Sequence, residues 1–183
     1  MDLEPTLWRT CRGLANERRL CVLAHICASG SACVTEAATA THISQPQATQ
    51  HLRLLQSRGL LCATRTGRWV TYTPLADPRV KHAGKLLAAI QCSLKRKKSP
   101  ADIIRALTAF THPRRLIVIL SLHTQSLSFE QLVARCRISP PALHRHLRNL
   151  KRRGILAPAT NGTYHLCTPP SKLIRNLIDL AVE

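Results

Sequence analysis

The chain has 183 residues, 45% hydrophobic and 20% charged, enough to bury a globular core as one domain or two small ones and too apolar for a disordered or collagen-like chain. Its 27 Lys and Arg against 9 Asp and Glu leave a net charge of +18, a surface that seeks polyanions such as nucleic acid or an anionic membrane. No apolar run approaches the roughly eighteen residues a membrane span needs, and the scattered acids form no paired-carboxylate, metal-ligand, P-loop or nucleophile-elbow pattern, which excludes the common hydrolytic and phosphoryl-transfer chemistries.

The opening MDLEPTLWRT is acidic and polar rather than a secretory signal, so a soluble, cytoplasmic chain without enzymatic activity is expected. Basic residues run through folded-looking segments rather than along one amphipathic helix, so the expected partner is double-stranded DNA and not a membrane. In chain order, a first helix is expected near 4–14, and a second carries Cys21, His25 and Cys27. Ser44 followed by Gln47 is a capping-box spacing that starts a helix at 44. On that helix Ala48, Leu52 and Leu55 recur at i, i+4 and i+7, so they face a core while Pro46, Gln50, Arg53 and Ser57 point away. Gly59 suits a left-handed helix stop. Two short strands, LLCATR and RWVTYT, then flank a Thr-Gly turn, and a helix follows over 77–94.

Residues 95–99, led by Lys95-Arg96-Lys97-Lys98, form the densest basic stretch: residues 1–77 carry +3, 78–98 carry +7 and 99–183 carry +8. That stretch reads equally as a solvated connector and as a strip lying along phosphates. Beyond it, helix starts are expected near 100, 112, 128 and 139, from Pro100, Pro113 and Pro140 in first-turn positions and from the Ser128/Gln131 capping box. Leu143, Leu147 and Leu150 form the buried stripe of the last of these, with Pro141, Arg145, Arg148 and Arg152 outward. Strands ILAPAT and TYHLCT flank Asn161-Gly162, a hairpin-turn dipeptide, and a helix near 170–182 closes the chain.

The chain repeats itself. At an offset of 95, residues 43–74 match 138–169 at 13 of 32 positions, and Arg18, Arg19, Leu20 and Val22 match Arg114, Arg115, Leu116 and Val118 with one residue slipped. A unit of helices, a β-hairpin and a final helix therefore occurs twice. The expected fold is mainly α with small β-hairpin wings, as two tandem winged helix-turn-helix units over 1–94 and 100–183 joined by the basic linker 95–99. In that architecture a recognition helix enters the major groove and the hairpin lies against the backbone.

The eight cysteines, at 11, 21, 27, 33, 62, 92, 136 and 167, contain no C-x-x-C pair and no zinc-finger spacing. Runs such as RLCVLAHIC and GLLCA place several among apolar neighbours, where a reduced Cys acts as a small buried hydrophobe. His51 and His146, aligned in the repeat, lie beside the apolar stripes and read as helix-packing residues.

LANERRLCVL, ISQPQATQHLRLLQSRGLL and TGRWVTYTPL resemble the arsenical-resistance repressor (ArsR) family of bacterial regulators, well over 7–92 and more loosely over 100–182. The resemblance implies a covalent pseudo-dimer in which helices near 4–14, 77–94, 100–110 and 170–182 build the central interface, and a repressor that reads an imperfect palindrome. Unit 1 offers Gln45, Gln47, Thr49 and Gln50 for adenine-type contacts and Arg53 for guanine or phosphate. Unit 2 offers His144, Arg145, Arg148 and Arg152, so its half-site differs. Arg65 and Arg68 bracket Gly67 in the first wing and would grip backbone or minor groove. The family's C-x-C metal pair reads Cys33-Val34-Thr35 here and Ser128-Phe129-Glu130 in the second unit, and of a second family metal site only Asp77 and His82 remain. No metal or other cofactor is expected. The alternatives are a non-specific architectural nucleic-acid binder and a metal- or redox-responsive repressor, the latter pairing Cys21 or Cys27 with Cys92.

Overall fold

The computed structural model describes residues 6–169 and 171–182. Residues 4 and 5 of the first expected helix and Pro170 of the last lie outside the described residues. Among those described, the chain is mainly helical, with two small antiparallel sheets. No helix is long and apolar enough to cross a membrane.

The first half runs α1 (Leu7–Leu14), α2 (Glu17–Ser29), β1 (Ala32–Cys33), α3 (Val34–Thr41), α4 (Gln45–Ser57), β2 (Cys62–Thr66), β3 (Trp69–Thr73) and α5 (Ala83–Lys95). The second runs α6 (Pro100–Leu107), a 3-10 turn (Thr108–Phe110), α7 (Pro113–Thr124), β4 (Leu127–Ser128), α8 (Phe129–Cys136), α9 (Pro140–Arg152), β5 (Leu156–Pro158), β6 (Thr163–Leu166) and α10 (Lys172–Val182). The sheets are ordered β1-β3-β2 and β4-β6-β5.

Local chemistry sets most boundaries. Asn16 caps α2, its side chain accepting from the Arg19 amide, and Ser44 and Ser128 close the expected capping boxes with Gln47 and Gln131. α4 ends where Gly59 takes φ +71, its amide donating to the Gln56 carbonyl and that of Leu60 to Leu55. Gly154, at φ +69, ends α9 by the same pair of bonds to Lys151 and Leu150.

Several expectations need correction. Each sheet has a third strand, because Ala32 and Cys33 pair with Tyr72 and Thr71, and Leu127 and Ser128 with Tyr164 and Thr163. α5 begins at Ala83 rather than 77, since Asp77 binds the Gly59 carbonyl through its amide and holds residues 77–82 in turns. Four residues, 159–162, link β5 to β6. There only Gly162 has positive φ, and Asn161 instead accepts from the Thr163 amide and hydroxyl through its side chain. Cys62 is exposed, because strand alternation turns Leu61 inward and Cys62 outward. Cys21 and Cys27 are half-buried, while Cys11 and Cys136 are buried as small hydrophobes.

Residues 95–99 form a compact turn rather than an extended segment. Lys95 belongs to α5, and the chain then closes a tight turn in which the Lys98 amide donates to the Ser93 carbonyl and that of Lys97 to Leu94, with Lys97 at φ +54. Ser99 caps α6 directly afterwards.

One contiguous core runs through both halves. α1 packs on the 3-10 turn and α6, α2 on α6, and α5 on α10. The buried side chains at this joint include Leu14, Leu86 and Ile90 from the first half, and Ile103, Phe110 and Leu177 from the second. Thr10 of α1 and the His82 ring, both buried, share a 2.9 Å hydrogen bond that ties α1 to the start of α5.

Candidate nucleic-acid interface

α3 and α4 are joined by three residues, and so are α8 and α9. In each turn a non-glycine residue takes the left-handed conformation, His42 at φ 53 and Arg137 at φ 50, and a serine then holds the position before the next helix, Ser44 capping α4 through its side chain and Ser139 standing there without a side-chain bond. The result is two helix-turn-helix pairs whose second members present one face to solvent. Ala48, Leu52 and Leu55 are fully buried under α4, and Leu143, Leu147 and Leu150 under α9, which leaves Gln45, Gln50 and Arg53, and Arg145, Arg148 and Arg152, exposed.

Not every expected contact residue is free. Gln47 is held in the capping box, its Oε1 accepting from the Ser44 amide. The Thr49 hydroxyl donates to the Gln45 carbonyl at 2.9 Å, and His144 stacks on Phe129 with ring centroids 4.2 Å apart. On the first hairpin Arg65 and Arg68 are exposed, Arg65 Nε donating to the Gly67 carbonyl at 3.0 Å. Arg68 lies over the ring of Trp69, which is 59% exposed. Trp69 is the feature that sequence reasoning missed. A large aromatic on a hairpin strand beside a glycine turn was the available signal, because an aromatic so placed packs only its edge against the sheet.

Behind the exposed faces lies a second tier of cations with structural duties. Arg19 donates to the Gly13 carbonyl, Arg115 to the Thr111 hydroxyl at 2.6 Å, and Arg153 to the Thr108 hydroxyl at 2.9 Å and the Asn149 carbonyl at 3.0 Å. Burial, then the neighbouring Arg58 and Arg153 respectively, lowers the pKa of Arg19 and Arg115. His146, buried beside His112 at 4.8 Å between ring centroids, is pushed down to about 4 by burial, then by His112 and Arg115. His51 is lowered by burial and by Arg19 and Arg18. Both histidines are therefore neutral packing groups at pH 7.

The expected traces of metal sites lead elsewhere. Asp77 forms an ion pair with Arg79 at 2.8 Å, His82 is bonded to Thr10, and Cys33 caps α3 together with Glu36. Hydrogen bonds from Cys33 hold the Glu36 carboxyl below its usual range. No cluster of three or more His, Cys, Asp or Glu side chains suited to a metal ion occurs among the described residues. Cys27 bonds to the Gln91 side chain, and burial raises its pKa.

The sequence model of the bacterial regulatory proteins of the arsR family matches residues 112–157. These residues hold α7, α8 and α9, so the family match falls in the half expected to match more loosely.

The chain is 41% identical over 59 residues to the arsenical resistance operon repressor of Escherichia coli strain K12, covering 32% of this chain and 50% of that protein. It is 29% identical over 91 residues to the arsenical resistance operon repressor of Bacillus subtilis strain 168, covering 50% and 83%. The HTH-type transcriptional repressor SmtB of Mycobacterium tuberculosis strain H37Rv is 37% identical over 71 residues, covering 39% and 51%. The chain thus spans about half the length of the first and third of these relatives. All three carry the name of repressor.

Proposed function

We propose that the chain is a sequence-specific double-stranded DNA-binding transcriptional regulator, a repressor, in which two winged helix-turn-helix units of one polypeptide act as a covalent pseudo-dimer. The units span 1–94 and 100–183, with 95–99 as the turn between them. The observation that carries this reading is the pair of exposed helix faces, α4 and α9, each at the end of a three-residue turn and each followed by a hairpin. The +18 charge supplies phosphate attraction, and the arsR-family match over 112–157 and the repressor names of the relatives support the regulatory role.

The two faces differ in chemistry. α4 offers the amides of Gln45 and Gln50 with Arg53, a set suited to adenine and one guanine or phosphate, whereas α9 offers three guanidiniums suited to guanine and phosphate. The operator is then an imperfect palindrome whose dissimilar half-sites lie roughly one helical turn apart. Gln47, Thr49 and His144 position these helices rather than read bases, and Arg65, Arg68 and Trp69 serve the backbone or minor groove.

Alanine at Gln50 and at Arg145 tests the reading. Each costs about 1–3 kcal/mol on the cognate duplex, and each relaxes preference in its own half-site alone. A uniform loss on every duplex, whatever its sequence, would instead mark a non-specific architectural binder.

A further inference from the structure

Where α5 turns into α6, a cavity of about 370 Å³ opens between the two halves of the chain. Its walls come from α5, the turn 96–99, α6, the end of α9 and the first turn of α10. Its size lies within the roughly 300–1,000 Å³ of small-molecule pockets.

Its charge is lopsided. Arg96, Lys98, Arg105, Arg153 and Lys172 line it against a single carboxylate, Asp102, which is itself bonded to the Ser99 hydroxyl at 2.8 Å. Arg105 and Arg153 donate to neutral acceptors, the Arg152 carbonyl at 3.3 Å and the Thr108 hydroxyl and Asn149 carbonyl already described. The side chains of Arg96, Lys98 and Lys172 have no hydrogen bond or ion pair among the described residues. Burial, then Arg152 and Arg105, lowers the pKa of Arg153, as expected of cations crowded without a counter-ion. The start of α10, where the Ser171 hydroxyl accepts from the Ile174 amide at 3.3 Å, adds the positive end of a helix to the same wall. Ala89, Ile103 and Leu173 supply apolar surface.

Cations around an apolar lining suit an organic anion better than a bare ion, and the cavity sits at the joint rather than on the exposed faces of α4 and α9. We propose that it binds a small organic polyanion carrying two or more carboxylate or phosphate charges on a short carbon skeleton. Such a ligand ties the α5–α6 turn of one half to α9 and α10 of the other. Resting on the DNA-binding reading above, its occupancy sets how α4 and α9 are placed relative to each other, and so tunes operator affinity.

Calorimetric titration of the full chain without DNA, at constant ionic strength, tests the site with the organic anions citrate and ribose 5-phosphate, and with sulfate and neutral ribose as controls. At least one of the two anions is expected to bind with a Kd below about 1 mM, and ribose is not. Binding by citrate alone or by the phosphate ester alone identifies the anionic group. Arg96→Ala and Lys172→Ala, both at exposed side chains, should each weaken binding roughly tenfold, about 1.4 kcal/mol. Arg135→Ala, the same charge change on α8, should leave it unaltered. Neither anion binding more tightly than sulfate, or equal losses in all three variants, overturns the site. Lys172→Ala weakening DNA binding with no anion bound would assign the cavity to a DNA phosphate and overturn it as well. Once binding is established, an operator affinity that the anion does not shift overturns the regulatory coupling. Because the titration contains no DNA, failure of the site and failure of the DNA reading are separate results.

Discussion

His146 shows how a single side chain can look functional in sequence and be structural in the fold. It recurs at the aligned position of both halves, next to candidate base readers, yet it is 3% exposed, and its Nε2 has no partner in the fold. Burial and the cations around it hold its pKa at about 4 rather than 6.5. Its folded value is the depressed one for a base, so the unfolded chain takes up the proton first. Stability is therefore full above about pH 6.5 and falls as pH drops toward 4. The loss reaches about 2 kcal/mol by the lower end, after allowing for solvent screening of the neighbouring arginines. Urea unfolding at pH 7 and pH 4.5 should show it, and His146→Leu should remove most of it. A variant with the slope of the parent would contradict this. His112 and His51, shifted in the same direction by burial first, account for the remainder. Gln47, Thr49 and His144 carry the same lesson, since polar side chains on a recognition-type helix are claimed by caps, carbonyls and stacking before any ligand arrives.

At the scale of elements, the apolar stripes of α4 and α9 and the capping boxes at Ser44 and Ser128 were legible in the sequence because they depend on neighbours within one or two turns. β1 and β4 were not, since a strand of two residues has no periodicity and exists only by pairing with β3 or β6. The start of α5 was hidden for a similar reason, being set by the contact of Asp77 with Gly59 across the hairpin. The exposed faces of the candidate interface could be read from the 3.6-residue period, whereas Trp69 on the hairpin could not. Gly59 separates a conformational from a packing requirement. A Cβ there would lie 2.8 Å from Val80 Cγ2 at φ +71, whereas at Gly67, φ +61, it would meet nothing within 4 Å. Gly67→Ala should therefore cost about 1 kcal/mol from the left-handed backbone alone. Gly59→Ala should cost at least about 2 kcal/mol, because the collision adds to it. Equal losses in chemical denaturation would mean that Val80 moves aside freely.

The whole molecule is organised around the joint, where α1 meets α6 and the 3-10 turn while α5 meets α10. A core shared in this way makes the two halves one cooperative unit. Leu177, fully buried on α10, tests that directly: Leu177→Ala should cost about 2–5 kcal/mol. With Trp69 replaced by phenylalanine, the fluorescence of Trp8, far away in sequence on α1, should report the same lowered midpoint as far-ultraviolet circular dichroism. Two separated transitions would show that the halves unfold independently.

The central claim is that the two halves read DNA sequence together. Selection of the purified chain against a random duplex pool near physiological salt, followed by affinities for the winner and a scrambled duplex across a salt series, tests it most directly. A two-part motif with unlike halves, bound at least about a thousandfold tighter than scrambled DNA, is the predicted result. No enriched motif, with an equally steep salt dependence on both duplexes, would contradict the account and leave the +18 charge as a binder of phosphate alone.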